Sequence, residues 1–515
     1  MKWEDLCEDK GQGGMGFKDL SMFNEAMLAK LAWRLLHDDN SLFYRVFKER
    51  FFPRGTILEA KDSPSASYAW KSILKGRDVI LKGALWRIGD GKRVRIWVDN
   101  WLPSKTSARI VTPVLYGQEN SNVEVLINPR TRCWRNNIID HVFNVQEAEI
   151  IKSIPLSSTT QPDALIWPFT PSGTYSVKSG YRFLLENSVQ FQRTRQDADF
   201  WKKVWSLEVP SKIKNFVWRA SKDSLPVKKN LLRRKIAQDG LCEICKAGEE
   251  DCVHALFFCS EVQEMWFADP QWRWLSTMQG SSVKDVFQKA FSKSRDAELL
   301  AFTSWAVWNR RNKLRFNEVP CPLDQILTLS KDRITEFQRI HQVTGTPQHR
   351  NHTRWKPPEH GTYKVNYDGA VFSQQGKAGL GVIIRNHEGA VMASLAQQIP
   401  LPTTVAQVEA LAARRATEFA LEIGITTAIL EGDSETIVKE LTEPNPSLAL
   451  HGHLIQDVKS LQNSFNSLNF THVRREGNNV AHALARWVIK KPNLTVWMED
   501  VPDIRQFVMA DSAMI

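Results

Sequence analysis

The sequence has few cysteines and no long apolar run. Seven cysteines occur in 515 residues, and four of them are clustered, which argues against a disulfide framework and for a metal site. No apolar run reaches 18 residues, and the opening Met-Lys-Trp-Glu-Asp is no apolar signal segment. The glycine-rich segment at residues 13–17 lacks the Lys-Ser/Thr pair of a phosphate-binding loop, so we interpret it as a turn. These absences predict a soluble intracellular protein without a membrane partner.

Positively charged residues outnumber negatively charged ones. The net charge is +11 and the pI about 9.2, which favours a polyanionic partner. Residues 201–236 contain eleven Lys and Arg against two acids, on two predicted helices at 212–221 and 228–238. These helices are expected either to contact a phosphate backbone or to be solvated faces. The candidate nucleic-acid-binding side chains there are Lys212, Lys214, Lys228, Lys229, Arg233 and Arg234.

The clustered cysteines show the spacing of metal ligands. Cys242-x-x-Cys245 is followed after eight residues by His254 and after four more by Cys259. Three thiolates and one imidazole fill the tetrahedral positions of a structural Zn²⁺ and leave none open for catalysis. The alternative is a set of buried free thiols. Cys252 is a spare thiol that competes for a place in the ligand set.

Three carboxylates occupy separate elements near the C-terminal end. Lys364–Ala370 alternates with period two and predicts a strand with one covered face, which carries Asp368. Glu409 lies in strong helix-former sequence, and Asp433 follows a predicted strand at 426–431. Each acid alone is also compatible with a surface or capping role, and Asp433 or Ser434 is a candidate N-cap. If the three converge, their repulsion calls for divalent cations such as Mg²⁺, which take oxygen ligands.

The stretch from about Trp355 to Lys490 resembles a type 1 ribonuclease H domain of plant LINE-type (non-LTR) retrotransposons. The resemblance implies that Asp368, Glu409 and Asp433 are catalytic acids that bind Mg²⁺ or Mn²⁺. The family's fourth acid is here His482, and imidazole is a poorer partner for Mg²⁺. Backbone amides near Gly369, together with Arg474, are expected to contact nucleic acid. The matching residues are Trp355-Lys-Pro-Pro358, Asn366-Tyr-Asp-Gly-Ala370, Gly379-Leu-Gly-Val-Ile-Ile-Arg385, Glu409-Ala-Leu411, Glu431-Gly-Asp-Ser434 and His472 to Ala485.

The rest of the chain resembles other parts of the same elements. The Cys/His stretch is similar to the zinc-binding region of plant LINE-type reverse transcriptases, and Trp3 to about Pro103 is similar to the segment that follows the polymerase core. The aromatic-x-Asp-Asp signature of the polymerase is absent, so no polymerase activity is expected.

The predicted fold is multidomain α/β. It comprises an N-terminal mixed α+β region, a central helical zinc-binding domain and a C-terminal ribonuclease H-like mixed five-stranded sheet with helices. Predicted local elements include a helix at 23–36, a hairpin at 86–101 and two strands at 163–167 and 173–178. The predicted segments are 1–105 (post-polymerase segment), 106–195 (connecting region), 196–275 (zinc-binding domain), 276–341 (helical region), 342–356 (linker), 357–490 (ribonuclease H-like domain) and 491–515 (loosely ordered tail).

The resemblance implies endonucleolytic hydrolysis of the RNA strand of an RNA–DNA hybrid by a two-metal mechanism. Two alternatives remain open at this point. One is a nucleic-acid-binding protein whose nuclease domain is inactive, motivated by His482. The other is a zinc-stabilised structural scaffold. No particular oligomeric state is predicted.

Overall fold

The computed structural model of the chain describes residues 2–62, 64, 66–104, 107–114, 116–188, 197–292, 297–341, 355–489 and 494–512. Most of the predicted linker at 342–356 lies outside these residues. The helices are α1 (Trp3–Cys7), α2 (Leu20–His37), α3 (Leu42–Phe51), α4 (Tyr68–Gly83), α5 (Asn136–Val142), α6 (Val145–Ser153), α7 (Val177–Glu186), α8 (Ala198–Ser206), α9 (Ser211–Ser221), α10 (Lys228–Arg233), α11 (Ser260–Ala268), α12 (Val283–Ser292), α13 (Ala297–Arg315), α14 (Ile326–His341), α15 (Val405–Glu422), α16 (Glu435–Thr442), α17 (Gly452–Gln462), α18 (Asn479–Trp487) and α19 (Arg505–Ser512).

The strands are β1 (Leu85–Arg87), β2 (Ala164–Ile166), β3 (Tyr363–Phe372), β4 (Lys377–Arg385), β5 (Val391–Pro400), β6 (Thr427–Gly432), β7 (Ser467–His472) and β8 (Thr495–Met498). By its contacts the chain forms two compact units. Residues 1–21 and 188–348 form the helical unit, and residues 22–187 and 349–515 form the sheet unit. No helix in the described ranges is long and apolar enough to cross a membrane.

The helical unit is organised around buried aromatic side chains. Trp266 and Trp272 are fully buried, and their rings meet edge to face with centroids 5.3 Å apart. Trp201 and Trp218 belong to the same core, and burial of such large side chains dominates the stability of a small core. The predicted helix at 212–221 is confirmed by α9, whereas the helix predicted at 228–238 ends at Arg233.

The sheet unit contains, among the described residues, a mixed sheet of six strands in the order β7-β6-β3-β4-β5-β8. The prediction of five strands is therefore wrong. β3, β4 and β5 form an antiparallel meander, and β6 lies parallel to β3 with β7 parallel to β6. The sixth strand, β8, pairs antiparallel with β5 and lies in the segment expected to be a loose tail, which also contains α19.

Both faces of this sheet are covered, so the expectation of a single covered face for β3 is wrong. Val365 and Tyr367 pack in a core with α15 and α17. On the opposite face Ile383 packs with Leu484 of α18. Gly379 and Gly381 of β4 make this second layer possible, since a Cβ on either would lie within 2.5 Å of the backbone of α18.

The hairpin predicted at 86–101 is also wrong. β1 pairs with β2, about 80 residues further along the chain. Asp163, which precedes β2, accepts hydrogen bonds from the N–H groups of Gly89, Gly91 and Arg93 at 2.7–2.9 Å. These three N–H groups therefore bind a buried carboxylate and do not pair with a neighbouring strand.

The expected second strand at 173–178 is likewise absent, because residues 174–176 have no regular structure and α7 begins at Val177. The helix predicted at 23–36 is confirmed by α2.

Within the sheet unit, the segment around residues 155–161 packs on α17 through Asp457. This carboxylate is fully buried. It accepts hydrogen bonds from Ser157 Oγ at 2.5 Å and the N–H of Ser158 at 2.9 Å, and it pairs with Arg414 Nη1 at 3.0 Å. Arg414 also donates to the carbonyl of Leu156 at 2.8 Å. A buried charge requires such partners, so the two parts of this unit are joined by a satisfied ionic network.

Candidate metal centres

Three carboxylates converge at one end of the sheet. Asp368 lies within β3, Asp433 directly follows the parallel neighbouring strand β6, and Glu409 lies on α15. One ligand oxygen from each lies within 4.8 Å of the others. The predicted origin of Asp368 and Asp433 on neighbouring parallel strands is confirmed. A Cβ at Gly369 would lie 2.7 Å from Val408 Cγ1, so glycine allows β3 and α15 to approach closely enough for the acids to meet.

The electrostatics of this cluster favour an added positive charge. Burial, followed by the charges of Asp368 and Asp433, raises the pKa of Glu409 to about 9. Burial and the charge of Asp368 also raise the pKa of Asp433. Oε2 of Glu409 is buried and has no hydrogen-bond partner among the described residues. Such an orphaned oxygen beside two other carboxylates fits a hard divalent cation, which takes oxygen ligands.

His482 contacts Asp368 directly. Its Nδ1 lies 2.5 Å from Asp368 Oδ2, and its Nε2 lies 3.5 Å from Nη2 of Arg475. Because a guanidinium only donates, Nε2 accepts and Nδ1–H is the donor to Asp368. His482 lies outside the group of three acids whose oxygens converge. The structure thus places it as a hydrogen-bond partner of one acid.

Sequence reasoning missed two residues at this site. The guanidinium of Arg475 lowers the pKa of both Glu409 and Asp433, although burial and the like charges outweigh it. Asn478, which precedes α18, donates from Nδ2 to the carbonyl of Tyr367 at 2.8 Å and so ties the helix of His482 to β3. Of the adjacent Arg474 and Arg475, Arg474 is the residue expected from the sequence to contact nucleic acid, and nothing in the sequence distinguishes the two arginines.

A buried polar network supports β3 next to the acids. Asn366 accepts from Trp355 Nε1 at 3.0 Å and donates to Glu431 at 2.8 Å. Lys364 pairs with Glu431 at 3.1 Å. Asn366 and Glu431 lie in the stretches that carry the family resemblance, which assigns them no role. A polar residue within an otherwise apolar strand is the signal that it has a buried polar partner.

A second ligand set lies in the helical unit. The ligand atoms of Cys242, Cys245, His254 and Cys259 all lie within 4.8 Å of one another. Cys242 Sγ is 3.8 Å from Cys259 Sγ, and Cys245 Sγ is 3.4 Å from His254 Nε2. Tetrahedral Zn²⁺ with Zn–S bonds of about 2.3 Å gives sulfur–sulfur separations of about 3.8 Å, so the donor set and its spacing fit zinc.

The surroundings of Cys242 favour the thiolate that metal binding requires. Burial alone would raise its pKa, but the N–H groups of Cys245 and Ile244 and the guanidinium of Arg311 lower it to about 6. Arg311 Nη2 lies 3.4 Å from Cys242 Sγ and is also paired with the fully buried Glu250. The spare Cys252 lies outside the ligand cluster, and burial together with Asp223 raises the pKa of its thiol.

The basic residues predicted to contact nucleic acid are only partly available. Lys228 pairs with Glu243 at 2.6 Å and Lys229 with Glu249 at 2.8 Å. Lys214 donates to the carbonyl of Trp205 at 3.0 Å. Arg233, Arg234 and, in the sheet unit, Arg474 are exposed. Lys212 lies over the ring of Trp305.

Comparison with known proteins places both clusters inside known domain types. The sequence profile described as "reverse transcriptase-like" matches residues 366–488, which include the three acids and His482. The profile described as "zinc-binding in reverse transcriptase" matches residues 175–266, which include the four Cys and His ligands. An Arabidopsis thaliana protein named "Putative ribonuclease H protein" is 27% identical over 522 residues, covering 95% of this chain and 80% of that protein.

An uncharacterized mitochondrial protein of Arabidopsis thaliana is 40% identical over 105 residues, which cover 20% of this chain and 68% of that protein. The chain belongs to the family of this mitochondrial protein. Two solved structures also align with a quarter of the chain. They are RNase H1 from Halobacterium salinarum, with 28% identity, 98% of that protein covered and a TM-score of 0.23, and LC11-RNase H1 in complex with an RNA/DNA hybrid, with 25% identity, 97% covered and a TM-score of 0.22.

Proposed function

We propose that the sheet unit is a ribonuclease that hydrolyses the RNA strand of an RNA–DNA hybrid with Mg²⁺ or Mn²⁺, in a protein of LINE-type retroelement origin. The observation that carries the proposal is the convergence of Asp368, Glu409 and Asp433, with Oε2 of Glu409 buried and unpaired. The match to a reverse transcriptase-like profile and a relative named for ribonuclease H support it. Zn²⁺ at Cys242, Cys245, His254 and Cys259 would serve to fold the helical unit.

The chain's own residues have distinct tasks in this proposal. Asp368, Glu409 and Asp433 would hold the divalent cations, which supply an activated water and stabilise the attacking and leaving oxygens of the phosphodiester. His482 would hold Asp368 in one orientation. Arg475, exposed beside the acids, would attract the scissile phosphate. Backbone amides near Gly369 and Glu409 would contact the 2′-OH, the group that distinguishes RNA from DNA.

The test uses the full chain, a hybrid with labelled RNA, and Mg²⁺ or Mn²⁺. We expect the parent to cleave, and Asp368→Asn to lose at least about 10³-fold in rate, since a metal contact provides several kcal/mol of transition-state stabilisation. Asp500→Asn, which changes a half-exposed aspartate paired with Arg505, should stay within about twofold of the parent. Equal cleavage by the parent and by Asp368→Asn would overturn the proposal.

A second candidate function is hybrid binding without cleavage, favoured by the contact of His482 with Asp368 Oδ2, an oxygen that a cation would need. Under this candidate the parent binds the hybrid and does not cut it. His482→Asp then distinguishes the two functions, because it supplies a fourth carboxylate and releases Asp368. Cleavage by His482→Asp alone would identify the native chain as a binding module.

A further inference from the structure

A cavity of about 440 Å³ opens on the helical unit, lined by residues of α13, of α14 and of the segment that joins them. Its size falls within the range of about 300–1,000 Å³ that small-ligand sites occupy. The sequence Asn-Arg-Arg-Asn occupies residues 309–312 of α13, and Asn309, Arg310 and Asn312 line the cavity. Arg311 from the same stretch is buried against the zinc ligands.

The charge of this cavity is unbalanced. Lys313 and Arg333 line it, both are exposed, and neither side chain makes a hydrogen bond or ion pair with a described residue. Arg310 is different, because it is held by Glu261 at 2.9 Å and by the carbonyl of Cys321 at 3.1 Å. Glu318 is the acid among the lining residues. Two unpaired cations against one acid favour an anionic ligand.

Aromatic rings lie beside these cations. Phe316 is 76% exposed at the end of α13. The ring of Trp305 also lines the cavity, and Lys212 Nζ lies 4.5 Å from its centroid. An exposed apolar ring is unfavourable in water, and rings interleaved with cations are the arrangement that stacks bases and tracks a phosphate backbone. An acidic peptide would use the cations and leave the rings without a role.

We propose that this cavity binds an unpaired segment of single-stranded nucleic acid, with a base against Phe316 and Trp305 and phosphates on Lys313, Arg333 and Lys212. The site lies in the helical unit and adds a nucleic-acid contact to the hybrid site proposed for the sheet unit. Stacking and phosphate contact do not distinguish bases, so the site has little sequence preference.

The test measures binding of a fluorescein-labelled single-stranded oligothymidylate of about 12 nucleotides to the full chain by anisotropy, across a range of salt concentrations. Single-stranded DNA is no substrate of the proposed ribonuclease, so this binding can persist when hybrid cleavage fails. The variants form matched pairs. Arg333→Gln is compared with Arg339→Gln, an exposed arginine of α14 outside the cavity lining. Phe316→Ala is compared with Val319→Ala, because the side chain of Val319 is also an exposed apolar group, with 87% of its surface accessible.

We expect Phe316→Ala to weaken binding about tenfold through lost stacking. Arg333→Gln should reduce the slope of log affinity against log salt by about 0.7, the contribution of one single-strand phosphate contact. Arg339→Gln and Val319→Ala should bind like the parent, and the oligonucleotide should slow hydrogen exchange in residues 316–325. The proposal would be overturned if the cavity variants bound the oligonucleotide like the parent, or if their controls weakened binding equally. It would also be overturned if Phe316→Ala left binding intact and polyglutamate displaced the oligonucleotide, because the site would then bind anions without stacking a base.

Discussion

The two ligand clusters of this chain have similar dimensions, but the electrostatics of Cys242 and Glu409 are opposite. Within the Cys/His set the ligands also differ from one another, since burial and the neighbouring Cys242 raise the pKa of Cys259 to about 12. In the helical unit, a guanidinium and backbone N–H groups surround Cys242 and lower the pKa of its thiol to about 6. In the sheet unit, burial and neighbouring carboxylates raise the pKa of Glu409 to about 9. Cys242 therefore favours the thiolate form that binds a metal cation. At Glu409, burial and the neighbouring carboxylates disfavour the charged form as long as no cation is bound.

This comparison predicts that removing a ligand has opposite consequences at the two sites. Loss of a thiolate should destabilise the helical unit, because the zinc proposed there would be part of the fold. Loss of a carboxylate should stabilise the metal-free sheet unit, because it relieves repulsion and the burial of charge.

The largest expected effect is that of Cys242→Ser. We expect this variant to lose its zinc and the native packing of the helical unit, since a structural Zn²⁺ contributes about 10 kcal/mol or more of folding free energy. Zinc content by atomic absorption and hydrogen exchange in α9 and α13 measure the two losses. Cys133→Ser changes an exposed thiol and is the matched control. Full zinc content in Cys242→Ser would contradict the assignment of the ligand set.

The next largest effect is that of Arg311→Met. It leaves the fully buried Glu250 without its cation, and breaking a buried pair in this way costs about 3–5 kcal/mol. Arg315→Met on the same helix removes a more exposed partner of Glu243 and should cost about 1 kcal/mol or less. Urea unfolding of the zinc-loaded chain, followed by hydrogen exchange in α13, compares the two. Equal effects would show that Glu250 gains other partners.

A stabilising substitution is expected at the acidic site. Near pH 7.5 in magnesium-free buffer, Glu409→Gln should raise the free energy of unfolding of the sheet unit by up to about 4 kcal/mol, because it removes the need to protonate a buried acid. The buffer contains no metal chelator, so that zinc stays bound in the helical unit. Glu422→Gln on the same helix should act in the opposite direction, since Arg415 lowers the pKa of Glu422. Urea unfolding followed by hydrogen exchange of β3 measures both, and destabilisation by Glu409→Gln would refute the repulsion argument.

The smallest expected effect, per pH unit, is a change in the stability of the metal-free sheet unit with pH. The folded metal-free chain holds a proton on Glu409 up to about pH 9, whereas the unfolded chain releases it near pH 4.5. The folded state therefore binds more protons between these values, so the stability of the sheet unit falls by at most about 1.4 kcal/mol per unit as pH rises. Added Mg²⁺ should flatten the decline, and Glu409→Gln should remove most of it. A pH-independent stability of the metal-free parent would contradict the raised pKa.

Local sequence spacing predicted much of both ligand sets. The Cys-x-x-Cys, His and Cys ligands lie within 18 consecutive residues, so their convergence needed only short-range structure. The origin of Asp368 and Asp433 on neighbouring parallel strands followed from the predicted order of the elements, whereas the convergence of Glu409 with them was implied by the family resemblance.

Features that depend on distant partners could not be predicted in this way. The segment at 86–101 has the apolar alternation of a hairpin, and only the position of Asp163 after folding explains why the N–H groups of Gly89, Gly91 and Arg93 bind a carboxylate there. β8 has four residues and gains its structure from the free edge of β5. The contact of His482 with Asp368 depends on how closely α18 approaches β4 over Gly379 and Gly381.

The hydrogen bonds of Asp457 predict that two distant segments of this protein evolve together. Ser157 and Asp457 are separated by 300 positions in the sequence, yet the buried hydroxyl of Ser157 donates a hydrogen bond to the buried carboxylate of Asp457. A recombination event that moved residues 357–490 into another gene would carry the aspartate away from its hydroxyl and amide donors. Lineages that keep the nuclease-like domain are therefore expected to keep the segment around residues 155–161 with it, and substitutions at the two places should be correlated among relatives.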